Sequence, residues 1–235
     1  MATIKKEKYA DHELIPVIET CLEQAIAGNS GLPQRCLDIN GMSGHVYRRF
    51  VNNYIRTALE NPRYLEVGTW QGSTLCAAIG GIENIEAIAV DNFTLGGASL
   101  SQCKINVDIA KTESAKVEIL DMDFRDFDFT NKGKFDVYFY DGNHAEQFQC
   151  DAITRCPPII DDVALIIIDD WNDWPTHFTG EFDGQTYYSH IKVGTYRGFK
   201  ESGLKILYKI EVETGENPFG VSDWHNGYGI FLVSK

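Results

Sequence analysis

Six consecutive apolar residues, VALIII at 163–168, run directly into two adjacent carboxylates, Asp169 and Asp170. A strand with one wet face alternates apolar and polar residues, whereas an unbroken apolar strand needs cover on both faces. Four more short runs share this character: YLEV (64–67), IEAIAV (85–90), KVEIL (116–120) and FDVYFY (135–140). Helical patterns at about 73–79, 99–110 and 144–155 separate them. Strands and helices in alternation predict an α/β fold with a doubly wound, Rossmann-like parallel sheet and helices on both faces. Two later runs, LKILYKIEV (204–212) and YGIFLVS (228–234), follow a helix near 191–201 and lie close enough in sequence to pair antiparallel. The expected sheet therefore has five parallel strands plus a C-terminal antiparallel pair.

Ahead of this core, residues through about 30 read as helix, and a second helix spans about 45–59 with Tyr47, Phe50, Val51, Tyr54 and Ile55 on one face. Residues 1–62 are thus expected to form a helical segment packed on a 63–235 core, in one structural domain of 235 residues. No stretch approaches the roughly 18–20 apolar residues of a membrane span. The opening MATIKKEKYADHE has no apolar run behind its lysines, so a soluble, cytoplasmic protein is expected. Net charge is −13, with basic pairs only at 5–6 and 48–49, which disfavours nucleic acid as a partner. The six cysteines form no C-x-x-C pair and read as free thiols. Whether the chain is a homo-oligomer stays open.

The first strand leads into YLEVGTWQGST (64–74). Gly68 and Gly72 permit a sharp turn and close approach of a ligand, and Ser73 and Thr74 open a helix whose N–H groups favour an anion. This E-x-G-x-x-x-G pattern differs from the dinucleotide G-x-G-x-x-G, because Trp70 stands where the second glycine admits a pyrophosphate. The second strand ends at Asp91, a carboxylate suited to a ribose diol. The third ends at EILDMDF (118–124), where Asp121 or Asp123 can meet an exocyclic amine.

In this order the motifs resemble the class I S-adenosylmethionine-dependent methyltransferases over roughly residues 63–235. GMSGHVYRRFVNN (41–53), YLEVGTWQGST, YDGNHAEQ (140–147) and LIIIDDWN (165–172) look like the macrocin O-methyltransferase-like sugar and small-molecule methyltransferases, with a more distant likeness to catechol O-methyltransferase. The resemblance implies S-adenosylmethionine as cofactor, with Glu66, Gly68, Thr69, Trp70, Gly72, Ser73 and Asp141 around its methionine end. Asp91 falls at the ribose, and Asp123 or Asp121 at the adenine.

In a doubly wound sheet the strands ending at Asp141 and at Asp169–Asp170 are neighbours about 4.8 Å apart, and ligands bind beyond their carboxyl ends. Three converging carboxylates call for a cation, and hard oxygen ligands suit Mg²⁺ or Ca²⁺. The similar sugar methyltransferases hold Mg²⁺ at positions matching Asp141, Asp169 and Asp170. Where those relatives have an acidic residue two beyond the first metal aspartate, this chain has Asn143, followed by His144. Asn143 reads as an N-cap, paired with Glu146. His144 is either a general base or a polar residue on an exposed first turn. Trp171 and Asn172 follow the metal pair and either contact the acceptor or pack the loop, as does Trp174; His177 and His190 fall in a loop suited to a lid. The implied activity is O-methylation of a hydroxyl on a sugar or another small polyhydroxylated acceptor. The alternative is a protein of the same fold that binds the cofactor without catalysis.

Overall fold

The computed structural model of the chain describes residues 2–129, 131–172, 180–214 and 223–235. It opens with strand β1 (Thr3–Lys8) and helices α1 (Leu14–Ile26), α2 (Gln34–Leu37) and α3 (His45–Ala58). The alternating core follows: β2 (Arg63–Val67), α4 (Ser73–Ile79), β3 (Glu86–Asp91), α5 (Leu100–Ala110), β4 (Lys116–Asp121), β5 (Phe135–Tyr140), α6 (Glu146–Thr154) and β6 (Ile160–Asp169). A small hairpin, β7 (Gly180–Phe182) and β8 (Gln185–Tyr187), precedes α7 (His190–Ser202), β9 (Lys205–Glu213) and β10 (Tyr228–Ser234).

The main sheet has eight strands in the order β1-β9-β10-β6-β5-β2-β3-β4. β6, β5, β2, β3 and β4 run parallel, and β10 is antiparallel to both β6 and β9. The strand order reverses beside β2, which leaves a crevice between the carboxyl ends of β2 and β5.

Residues alternate faces along each strand, so β6 sends Leu165 and Ile167 to one core and Ile166 and Ile168 to the other. Helices α1, α3, α4 and α5 close the first core, and α6 and α7 close the second. Burial of such side chains contributes about 1.5–3 kcal/mol each, which the unbroken VALIII run gains on both faces at once. That is why the run ends where the helices stop covering it.

The amino-terminal expectation needs correction. Residues 1–62 are not wholly helical, because β1 pairs antiparallel with β9 and adds an eighth strand to the expected five and pair. TIKKEK carries no apolar run because it lies on the sheet's edge, where only Ile4 packs inward and charges discourage pairing with other chains. Lys5 meets Glu213 at 3.2 Å and Glu7 meets Lys209 at 3.2 Å. All six cysteines are buried free thiols. Among the described residues, no helix is long and apolar enough to cross a membrane.

Candidate active site

A cleft of about 800 Å³ opens over the carboxyl ends of β2, β3, β5 and β6, within the roughly 300–1,000 Å³ typical of small-molecule sites. Its floor at one end is the turn after β2. Gly68 has φ +83°, and a Cβ there would overlap the Asp141 carbonyl oxygen. Trp70 has φ +51°, a conformation glycine adopts easily and tryptophan rarely does. The indole swings outward, donating to the Gly96 carbonyl at 3.3 Å, and lines the cleft.

Asp91 secures this turn. Its Oδ2 accepts the N–H groups of Thr69 and Trp70 at 2.6 and 2.7 Å, and Oδ1 accepts the Phe93 N–H at 2.6 Å. Asp91, expected at a ribose diol, lines the cleft with three of the roughly four acceptor positions of its carboxylate taken by these N–H groups. Glu66 is displaced from its expected place. It is fully buried behind the turn, accepting hydroxyls from Tyr64 (2.6 Å) and Thr74 (2.9 Å), and burial pushes its carboxyl up to about 8 despite those bonds. Thr69, Gly72 and Ser73 are buried in support of the turn, outside the cleft lining. At the β4 end Asp123 lines the cleft, but Arg125 holds it in a two-pronged ion pair at 2.9 and 2.6 Å that keeps it down at about 2. Asp121 is exposed on β4 and does not line the cleft.

At the other end, Asp141, His144 and Asp170 bring one potential ligand atom each within 4.8 Å of one another. Asp170 sits just past β6 with φ +56°, its N–H turned onto Asp169 Oδ1 at 2.8 Å. The His144 Nε2 lies 2.9 Å from Asp170 Oδ2 and 3.9 Å from Asp141 Oδ1. The Asp141 and Asp170 carboxylates beside it raise the imidazole to about 10, which favours the imidazolium at neutral pH. Burial, reinforced by Asp170, raises Asp141 to about 6. Burial also raises Asp169 well above the carboxylate range, helped by the Asp141 and Asp170 charges. For Asp170, burial acts upward but the His144 contact and charge outweigh it, and the group stays ionised.

Asp169, the third of the expected metal carboxylates, lines the cleft from a buried position beside Asp141 and Asp170, and His144 joins those two in the converging set. Asn143 does not cap α6. Its Oδ1 accepts the Ala145 N–H at 2.9 Å in a local turn, the N-cap is Ala145, and Glu146 pairs with Arg197. Nor do Trp171 and Asn172 form a wall for the acceptor. Trp171 is fully buried against Phe231 and Tyr196 with its N–H on Glu211 at 2.9 Å, and Asn172 is tied to Thr214. Trp174 and His177 lie outside the described residues. His190 begins α7, away from the cleft.

Sequence reasoning missed His225 and Asn226, which line the cleft beside the cluster, with Asn226 Nδ2 on Asp170 Oδ1 at 2.6 Å. The signal was available: an antiparallel partner of β6 must begin where β6 ends, and Tyr228 faces Asp169. Met42, Phe124, Arg125 and Phe148 were likewise unforeseen in the lining.

Residues 65–171 match a family model described as a methyltransferase domain. No curated protein sequence matches the chain. Among solved structures, the chain resembles the S-adenosylhomocysteine-bound methyltransferase PaMTH1 of Podospora anserina, at TM-score 0.54 and 11% identity over 97% of this chain and 91% of that one. It also resembles the O-methyltransferase of Bacillus cereus in complex with S-adenosylhomocysteine, at TM-score 0.53 and 15% identity over 93% and 91%. TrmN of Thermus thermophilus aligns at TM-score 0.54 and 12% identity, covering 86% of this chain, which spans about half (52%) of TrmN. Identities this low speak to the fold alone; the sequence match speaks to the domain. Residues 65–171 are thus similar in sequence to a methyltransferase domain, and the fold around them is the one these solved structures share.

Proposed function

We propose that the protein is an S-adenosylmethionine-dependent O-methyltransferase acting on a hydroxyl of a sugar or another small polyhydroxylated acceptor, with a divalent cation at Asp141, His144 and Asp170. The observation that carries this reading is the convergence of those three side chains at one end of a cleft whose other end is the glycine turn.

The donor set fits a cation. Three ligand atoms within 4.8 Å of one another suit bonds of about 2.0–2.6 Å to a shared centre, and the open side leaves room for acceptor oxygens. An imidazole beside two carboxylates extends the expected Mg²⁺ or Ca²⁺ to first-row ions such as Mn²⁺. Bound there, a divalent cation lowers the pKa of an acceptor hydroxyl and fixes the oxygen in position.

The chain's own groups do the rest. The Gly68 turn and Asp141 would hold the cofactor's methionine end, with its sulfonium facing the carboxylate cluster. The chemistry it would supply is methyl transfer to the acceptor oxygen, a C–O bond replacing the S–CH₃ bond with S-adenosylhomocysteine as leaving group. To serve as a ligand His144 must be neutral, a form its two flanking carboxylates oppose until a cation compensates them. Engaged in that way His144 is not the base, and the hydroxyl proton would pass to solvent at the open side of the cleft. Asn143, His225 and Asn226 supply the polar rim that a hydroxylated acceptor needs.

The test is tritium transfer from labelled S-adenosylmethionine to a panel of sugars, nucleotide sugars and catechols, run with calorimetry of S-adenosylhomocysteine. Asp170→Asn is expected to cut transfer at least 100-fold while changing S-adenosylhomocysteine affinity less than threefold. Full transfer in EDTA would remove the cation from the mechanism. Saturable cofactor binding without transfer to any acceptor would favour the non-catalytic alternative, and absence of binding at millimolar cofactor would end the proposal.

A further inference from the structure

Arg48, one of the basic pair at 48–49, is 2% exposed. Burial of a guanidinium is costly unless its donors are satisfied, and no carboxylate among the described residues pairs with it. Its donors go instead to one short loop. Nη1 reaches the carbonyls of Leu37 and Ile39 at 3.0 and 2.7 Å, and Nε reaches Ser43 Oγ at 2.9 Å. A guanidinium only donates, so Ser43 Oγ accepts from Arg48, and the same oxygen shares a hydrogen bond with Ser73 Oγ, 3.2 Å away. Ser73 opens α4, directly after the glycine turn.

The loop, residues 37–44, is pressed onto that turn. A Cβ on Gly41 would overlap Ser73 Oγ and come within 3.2 Å of Arg48 Nη2. Next to Gly41, Met42 projects into the cleft and is 46% exposed. Without Arg48 two buried carbonyls and a hydroxyl lose their partner, and water becomes the better place for the loop.

We propose that Arg48 is a positioning residue for cofactor binding: it draws residues 37–44 inward onto the Ser73 turn and so sets Met42 as a wall of the cleft. This rests on the reading of the cleft as the S-adenosylmethionine site. It differs from a general packing role because the loop, not the helix that bears Arg48, is what the side chain organises.

The experiment measures S-adenosylhomocysteine affinity by calorimetry, with far-UV circular dichroism and thermal melts, for the parent, Arg48→Met, Arg48→Lys, Ser43→Ala and Gly41→Ala. Arg48→Met is expected to weaken binding at least tenfold at a temperature where it is fully folded. Arg48→Lys should recover part of that loss, because an ammonium keeps the charge and some of the hydrogen bonds. Gly41→Ala, which keeps the arginine but forces the loop off Ser73, should also weaken binding about tenfold, and Ser43→Ala several-fold. A parent that binds while Arg48→Met and Gly41→Ala bind within twofold of it overturns this proposal alone. Should Arg48→Met fail to fold, parent-like affinity in both Gly41→Ala and Ser43→Ala overturns it equally. A parent that does not bind overturns the cofactor reading as well.

Discussion

A fully buried carboxyl that receives two hydroxyl hydrogen bonds, as Glu66 does, must trade solvation against those bonds. Burial wins, and the group reaches about 8 against an unfolded value near 4.5. Folded Glu66 therefore keeps a proton that the unfolded chain gives up, so its contribution to stability is full below about pH 4.5 and is lost as pH rises through 8. The loss is on the order of a few kcal/mol, or roughly 5–10 °C in Tm at about 2–4 °C per kcal/mol. Glu66→Gln cannot titrate. Its Tm relative to the parent should improve by several degrees between pH 5 and pH 8 in matched melts, and parallel curves would contradict a neutral, buried Glu66. Glu66 was legible as a residue of the glycine motif but not as one buried outside the cleft lining. Its partners, Tyr64 two residues before and Thr74 eight after, meet only once the turn is built.

The parallel strands were readable because each is covered on both faces, which makes hydrophobicity continuous and almost independent of neighbours. Where an element's role depends on which neighbour it meets, the sequence alone is ambiguous. Trp171 illustrates this. Following two cleft carboxylates, an indole suits a binding wall, yet the backbone keeps pairing beyond β6, with Trp171 N–H on the Gly227 carbonyl at 3.2 Å, and the ring turns into the second core. Gly229 makes room for it, since a Cβ there would come within 2.7 Å of the indole. Glu211 Oε1 receives both the Trp171 N–H and, at 2.8 Å, the Tyr196 hydroxyl. Trp171→Phe removes one of the two donors on Glu211 Oε1, whose other oxygen stays 3.4 Å from the Lys209 ammonium, and leaves a small void, a loss of about 2–4 kcal/mol. Its Tm should fall by roughly 5–10 °C, while S-adenosylhomocysteine affinity stays within about threefold because the glycine turn lies at the other end of the cleft. A large loss of affinity with unchanged Tm would restore the indole to the binding wall.

Across the whole molecule, the least legible element is β1, and the reason is its place rather than its composition. One end of the sheet is β4, reached through the parallel core; the other would be β9 without the amino-terminal strand. β9 is nine residues long, and most of its inner residues are buried. Left open, it would offer a row of unpaired backbone groups to other chains. β1 covers it over six residue pairs, continued by the Tyr9 and Ala10 N–H groups on the Leu207 carbonyl. The ion pairs that accompany it are exposed on at least one side and add little each. Deleting residues 2–9 should therefore lower stability modestly, by about 1–3 kcal/mol through lost Ile4 packing and strand pairing. The larger expected effect is on association: light scattering should show the truncated chain forming concentration-dependent larger species under conditions where the full chain shows fewer. Cofactor binding should survive, since no β1 residue lines the cleft. If the truncated chain matches the parent in both size distribution and Tm, β1 does not guard the β9 edge, and the charges of TIKKEK need another explanation.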